Sequence, residues 1–331
     1  MILTMMLPPS GDIAKLSLAR QMGITHAITK AAPDISRLSP PYDFCALKTI
    51  NERFAAAGMK LFGLEGDQFD MSPIKLGLKN RDEWIDKYRK MVQNMGRLNI
   101  NLLCLNWMAC IGWFRSDAET PERGGALTSS FCFEDVKDKT VNADLQISAN
   151  RVRENLFYFL DAVLPVAEES GVKLALHPDD PPISPFWGVG RILSSPSDYE
   201  EVFKRFDSAN LGVTFCQATF KLMESDLKKL SADWIRRGKV FFIHVRDVDG
   251  NKYRFKETFI DTHKDFVPDM LLHYHSCGFE GPIRSDHAPA MYGEVQKKFE
   301  GGTNVGYQML GHIFSNGYIK GCAQALNIPI L

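Results

Sequence analysis

Four apolar runs in the second half of the chain each end in a group that can bind a metal ion or move a proton. Leu-Ala-Leu leads into His177-Pro-Asp179-Asp180, Val-Thr-Phe into Cys216, Phe-Phe-Ile into His244-Val-Arg246-Asp247, and Ile-Arg284-Ser into Asp286-His287. His177, Cys216, His244 and Asp286 follow one another at intervals of 39, 28 and 42 residues, each about the length of a strand followed by a helix. Two imidazoles, a thiolate and a carboxylate suit Mn, Fe, Co or Zn, and the thiolate argues against Mg and Ca. A lone histidine at a strand end is usually a hydrogen-bonded structural residue, and a lone cysteine in an apolar run is usually core. Four successive strands that all end this way point instead to a shared site.

Such a site needs a scaffold that gathers the carboxyl ends of many strands. Eight short apolar runs read as buried parallel strands: Ile2–Leu7, His26–Thr29, Lys60–Glu65, Asn101–Asn106, Val172–His177, Gly212–Cys216, Val240–Arg246 and Pro282–His287. Helical periods separate them. In Asn80–Met95 one stripe holds Trp84, Tyr88, Met91, Val92 and Met95, with Asn80 and Glu83 placed as a cap and Gly96 as a stop. Val152–Glu169 repeats the pattern, with Pro165 expected to kink its last turns and Gly171 to end it. Eight strand–helix units, with no Gly-x-Gly-x-x-Gly turn after the first, predict a single (β/α)8 TIM barrel over residues 1–331 rather than an open doubly wound sheet. Two connections are long, 108–150 and 178–197. The first leaves a strand at its carboxyl end and is expected to lie over the mouth.

Composition narrows the function. The 331 residues are 45% hydrophobic and 24% charged, with 39 basic against 40 acidic side chains, so there is no cationic field for nucleic acid or an anionic bilayer. No apolar run approaches the roughly 20 residues of a spanning helix, and Met1–Pro9 lacks the pattern of a secretory signal. Seven scattered cysteines without a Cys-x-x-Cys pair imply reduced thiols. The expectation is a cytoplasmic enzyme with a small-molecule partner and no nucleic-acid or membrane partner, for which a homo-oligomer is allowed.

The segments 177–182 (His-Pro-Asp-Asp-Pro-Pro), 214–216 (Thr-Phe-Cys), 243–246 (Ile-His-Val-Arg), 286–287 followed by 292–294 (Tyr-Gly-Glu), and 305–307 (Val-Gly-Tyr) resemble mannonate dehydratases. The likeness extends more weakly to 100–107 and to Trp113-Phe-Arg115. It implies a xylose-isomerase-like barrel in which His177, Cys216, His244 and Asp286 bind Mn2+ or a similar ion such as Fe2+, and His287 and Tyr307 act as acid and base. Arg246, Arg284, Arg115, Glu65, Asn106, Trp107 and Asp179 are then candidates for substrate contact. Arg246 and Arg284 each lie two residues from a candidate ligand and so share its strand face; for Arg284 an interior ion pair is an equal alternative. The chain departs from the family at Thr4-Met5-Met6-Leu7, where an Arg-Trp-aromatic-Gly segment is usual, at Gln217-Ala218-Thr219, at Asp247, at Phe255-Lys256-Glu257 and at Ala288. The metal site is matched better than the substrate pocket, so weak or altered turnover of mannonate is expected.

The implied activity is that of a hydro-lyase, turning a D-mannonate-like acid into a 2-keto-3-deoxy acid and water. Two competing readings are a metal-dependent sugar isomerase or epimerase on the same barrel, and a non-catalytic metal- or sugar-acid-binding homologue.

Overall fold

The computed structural model describes residues 1–223, 226–294 and 306–331. Val305, which opens the Val-Gly-Tyr motif, therefore lies outside the described residues. The strands are β1 (Ile2–Met6), β2 (His26–Thr29), β3 (Lys60–Glu65), β4 (Leu102–Asn106), β5 (Asp117–Pro121), β6 (Leu127–Cys132), β7 (Lys173–His177), β8 (Leu211–Cys216), β9 (Val240–Val245), β10 (Val248–Asn251), β11 (Arg254–Glu257) and β12 (Pro282–Ser285). Eight of them close a parallel barrel in the order β1-β12-β9-β8-β7-β4-β3-β2. These are the eight expected strands, and the fold is a TIM barrel. Closure sets Ile2 opposite Pro282 and Leu3 opposite Ile283. β8 and β9 are buried at every residue, as continuous apolar runs require when helices cover the sheet. Their ends place Cys216 and His244 side by side in register.

Both expected helices form, with corrections at their ends. The first runs Arg81–Arg97 and buries Ile85, Tyr88, Met91, Val92 and Met95. Asn80 occupies its N-cap position without a side-chain cap bond, and Gly96 lies inside the helix. A Cβ at Gly96 would come 2.5 Å from the Ser170 carbonyl oxygen, so this glycine permits close packing and does not act as a stop. The second helix, Ala149–Glu169, starts a turn before Val152 because the Ser148 side chain accepts from Arg151 N. It continues through Pro165 to Glu169 and stops before Gly171, which sits at φ +65°.

The connection 108–150 contains more order than its composition suggested. Its strands β5 and β6 join the hairpin β10–β11, which follows barrel strand β9, in a four-stranded antiparallel sheet of order β10-β11-β6-β5. Phe255 stands opposite Phe131, and both lie in an apolar cluster with Phe186, Val136 and Val248. Among the described residues no helix is long and apolar enough to cross a membrane.

Candidate active site

The ends of β7, β8 and β9 bring one ligand atom each of His177, Cys216 and His244 within 4.8 Å of one another. Asp286, just past β12, puts Oδ2 3.6 Å from His244 Nδ1 and 3.9 Å from Cys216 Sγ. Three of the four therefore meet, and Asp286 stands on the His244 and Cys216 side of them. His244 is fully buried, with Nε2 3.5 Å from Glu65 Oε2 and Nδ1 3.6 Å from Asp286 Oδ2, ion-pair distances that leave neither nitrogen a hydrogen-bond partner among the described residues. Burial and Arg284 oppose its protonation, but Glu65 and Asp286 outweigh them and hold it well above the ordinary imidazole value; a cation bound here would replace that proton. His177 Nδ1 lies 2.8 Å from the Pro178 carbonyl oxygen; donation there fixes the tautomer and leaves Nε2 as a lone-pair donor.

The charges agree with this arrangement. Burial pushes the Cys216 thiol up, but Arg246 and the two imidazoles outweigh it and hold the group well below the ordinary thiol value. Arg246 Nε donates to its sulfur at 3.3 Å. Burial likewise opposes ionisation of Asp286, and His287, Arg284 and His244 together keep it well below the usual carboxylate range. A second trio, Glu65, Cys104 and His244, also lies within 4.8 Å. There, burial and Glu65 push the Cys104 thiol up, and Glu65 is already paired with Arg284 at 2.5 Å. The first group is the better cation site.

Beside it runs a buried network of charges. Arg115 pairs with Asp180 and Glu257, and Arg246 pairs with Asp180 at 2.6 Å, with Asp286 at 2.9 Å and with Glu257. Glu257 Oε1 is 3.2 Å from His287 Nδ1. Burial raises Glu257, but the two arginines bring it down to about 2, so it presents a carboxylate to the imidazole. Above this network is a cavity of about 200 Å³ bordered by Glu65, Asn106, Trp113, His177, His287 and Tyr307, among others. Trp113 from the 108–150 connection stands edge-on to His287 at 4.9 Å, and Tyr307 does so at 5.2 Å. The Tyr307 hydroxyl donates to Asp286 Oδ1 at 3.1 Å.

Residues 9–146 and 134–329 match the family model described as D-mannonate dehydratase (UxuA). The chain belongs to the D-mannonate dehydratase family. It is thus an enzyme of the hydro-lyase class. It is 27% identical to the mannonate dehydratase of Thermotoga maritima, an alignment that covers 96% of this chain and 95% of that one. A mannonate dehydratase structure from Streptococcus suis serotype 2 superposes with a TM-score of 0.86 at 24% identity, over 100% of this chain and 97% of that one. A D-tagatose 3-epimerase-like protein shares the fold at a TM-score of 0.63 and 13% identity, over 99% and 98% of the two chains.

Within this dehydratase-family barrel the remaining candidate residues separate clearly. Glu65 and Asn106 border the cavity. Asn106 Oδ1 accepts from the buried Lys75 ammonium at 3.0 Å, which leaves its amide NH2 to donate. Trp107 does not reach the cavity: it is fully buried, its indole N–H donates to Val152 O, and its ring packs on Phe159. Asp179 is a loop anchor, accepting from Leu193 N at 2.7 Å and Ser194 Oγ at 3.1 Å. Arg115, Arg246 and Arg284 are spent on internal carboxylates, Arg284 on Glu65 and Asp286. Their charge shapes the ligand cluster, and they do not border the cavity.

Sequence reasoning missed Asp180, Glu257 and Trp113 as members of the site. The neighbour of Asp179 in the His-Pro-Asp-Asp motif is the one that meets the arginines. The hairpin that delivers Glu257 turns at Lys252-Tyr253, where Asn251 Oδ1 accepts from Tyr253 N and Arg254 N, and no Asn-Gly or Asp-Gly pair at the turn announces it.

Proposed function

We propose that this chain removes water from a sugar acid resembling D-mannonate, giving a 2-keto-3-deoxy acid, with one divalent ion, Mn2+ or Fe2+, held by His177, Cys216, His244 and Asp286. It does so in the cytoplasm, as one barrel with residues 108–150 over the mouth and no nucleic-acid or membrane partner. The observation that carries the reading is His244, a buried imidazole without a hydrogen-bond partner among the described residues, set between a low-pKa thiol and a carboxylate. Family membership supports the reaction class.

Loss of water from a 2,3-dihydroxy acid requires removal of a weakly acidic proton beside the carboxylate and protonation of a departing hydroxide. The bound ion supplies positive charge that acidifies that proton. His287 and Tyr307 are the two proton-transfer groups that border the cavity next to the ligand cluster. With Nδ1 engaged by Glu257 and Arg246, each at 3.2 Å, His287 keeps Nε2 for the proton. Asp286 receives the Tyr307 hydroxyl proton as a hydrogen bond, which fixes its oxygen near the site. Asn106 supplies a donor for a substrate hydroxyl, and Trp113 shields His287 from water on the lid side.

The test is a panel of hexonic and pentonic acids offered to stripped enzyme with Mn2+ added back, with free sugars alongside. A 2-keto-3-deoxy product from an acid supports the reading. Conversion of a free sugar without water loss would support an isomerase, and no conversion of either would support a binding protein.

The ligand set has its own check. Replacing Cys216 by Ser removes the soft donor and is expected to weaken metal affinity about 10-fold or more, read by competition with a chromophoric chelator. Unchanged affinity would take Cys216 out of the set.

A further inference from the structure

A second cavity, about 240 Å³, adjoins the first. It is bordered by the end of β1 and by Lys15, Lys30, Ile35, Tyr307, Met309 and His312. Tyr307 borders both cavities. Lys30 also reaches along the wall between them: a methyl group on Gly66, which borders the inner cavity, would lie 4.0 Å from Lys30 Cδ.

The two cavities differ in charge. Around the inner one each guanidinium already has carboxylate partners, Arg115 and Arg246 through Asp180 and Glu257 and Arg284 through Glu65 and Asp286. No Asp or Glu borders the outer one among the described residues, and Met5, Leu7, Pro8 and Ile35 make its walls apolar. Its two ammonium groups, the half-buried Lys30 and the exposed Lys15, have no ion pair or side-chain hydrogen bond among the described residues. Apolar walls strengthen the field of an unpaired cation. A cavity with two unpaired cations and no acid among the described residues, sharing Tyr307 with the inner cavity, suits an anion at the far end of the substrate.

We propose that Lys30 is a specificity-determining residue: the sugar acid turned over here carries a second anionic group on its terminal carbon, a carboxylate or a phosphate, which Lys30 binds beyond Tyr307 with Lys15 at the rim. This rests on the dehydratase reading for the reacting end of the substrate, and adds the chemistry of the other end.

The experiment compares a hexonate, the matching hexarate and the 6-phosphohexonate on metal-loaded enzyme and on Lys30→Met and Lys30→Arg variants, by turnover and by calorimetric binding. One dianion is expected to be preferred over the hexonate, and which one names the group. Lys30→Met is expected to raise Kd and KM for that dianion about 10- to 100-fold, the loss of one charge-assisted hydrogen bond, with a smaller effect on kcat and with recovery in Lys30→Arg. Dianion binding that ignores Lys30→Met, or an equal loss for the hexonate, would overturn the proposal. Dianion binding that depends on Lys30 with no dehydration of any of the three would uphold Lys30 and remove the dehydratase reading.

Discussion

Replacing His287 by Asn is expected to lower kcat about 10²- to 10⁴-fold while the protein keeps its metal, because a positioned proton-transfer group is lost and no ligand is. His287 borders the cavity beside the ligand cluster, with Glu257 on Nδ1 and Trp113 against its ring. Asn preserves some hydrogen bonding but cannot exchange a proton near neutral pH. Tyr307→Phe should fall in the same range, since it deletes the hydroxyl that meets Asp286. Metal content by elemental analysis separates this from damage to the ion site. Full activity in either variant would remove that residue from the mechanism.

Replacing Asp180 by Ala is expected to destabilise the fold by about 3–5 kcal/mol, the range for breaking a buried charge pair from one side. Its two oxygens are shared between Arg115 and Arg246, and all three side chains are buried. Without Asp180 the two guanidiniums keep Glu257, Asp286 and the Cys216 sulfur as counter-charges. The pH dependence follows with a definite sign. Burial pushes Asp180 up, but Arg115 and Arg246 dominate and hold it well below its ordinary value, so its contribution is present above the normal carboxylate range. It is lost as pH falls through the depressed folded value. Equilibrium urea unfolding at neutral pH and in acid measures both effects. A variant as stable as the parent at neutral pH would show that the network contributes no net stability.

The barrel was readable because its strands are dense apolar runs between strong helical periods, and the chemistry sits at their carboxyl ends. The strand ends bring His177, Cys216 and His244 together, and Asp286 lies beside His244 and Cys216. Adjacent positions were harder, because sequence does not say which of two neighbouring acids turns inward. Asp179 was the expected contact, yet it ties the following loop while Asp180 meets the arginines. Trp107 was misread for a similar reason: one residue past Asn106, it turns into the core against Phe159. Charge partners were the least legible. Arg115 and Glu257 are 142 residues apart and meet only because β6 pairs with β11. An Arg at a strand end looks the same in sequence whether it awaits a substrate or already holds a carboxylate.

The central claim, that one ion in this cluster enables loss of water from a sugar acid, is tested most directly by titrating Mn2+ into fully stripped enzyme supplied with the preferred acid. The account predicts no product before metal is added, 2-keto-3-deoxy acid 18 mass units lighter than its substrate once it is present, and activity that saturates at one ion per chain. Product from stripped enzyme, or a product of unchanged mass, would contradict it.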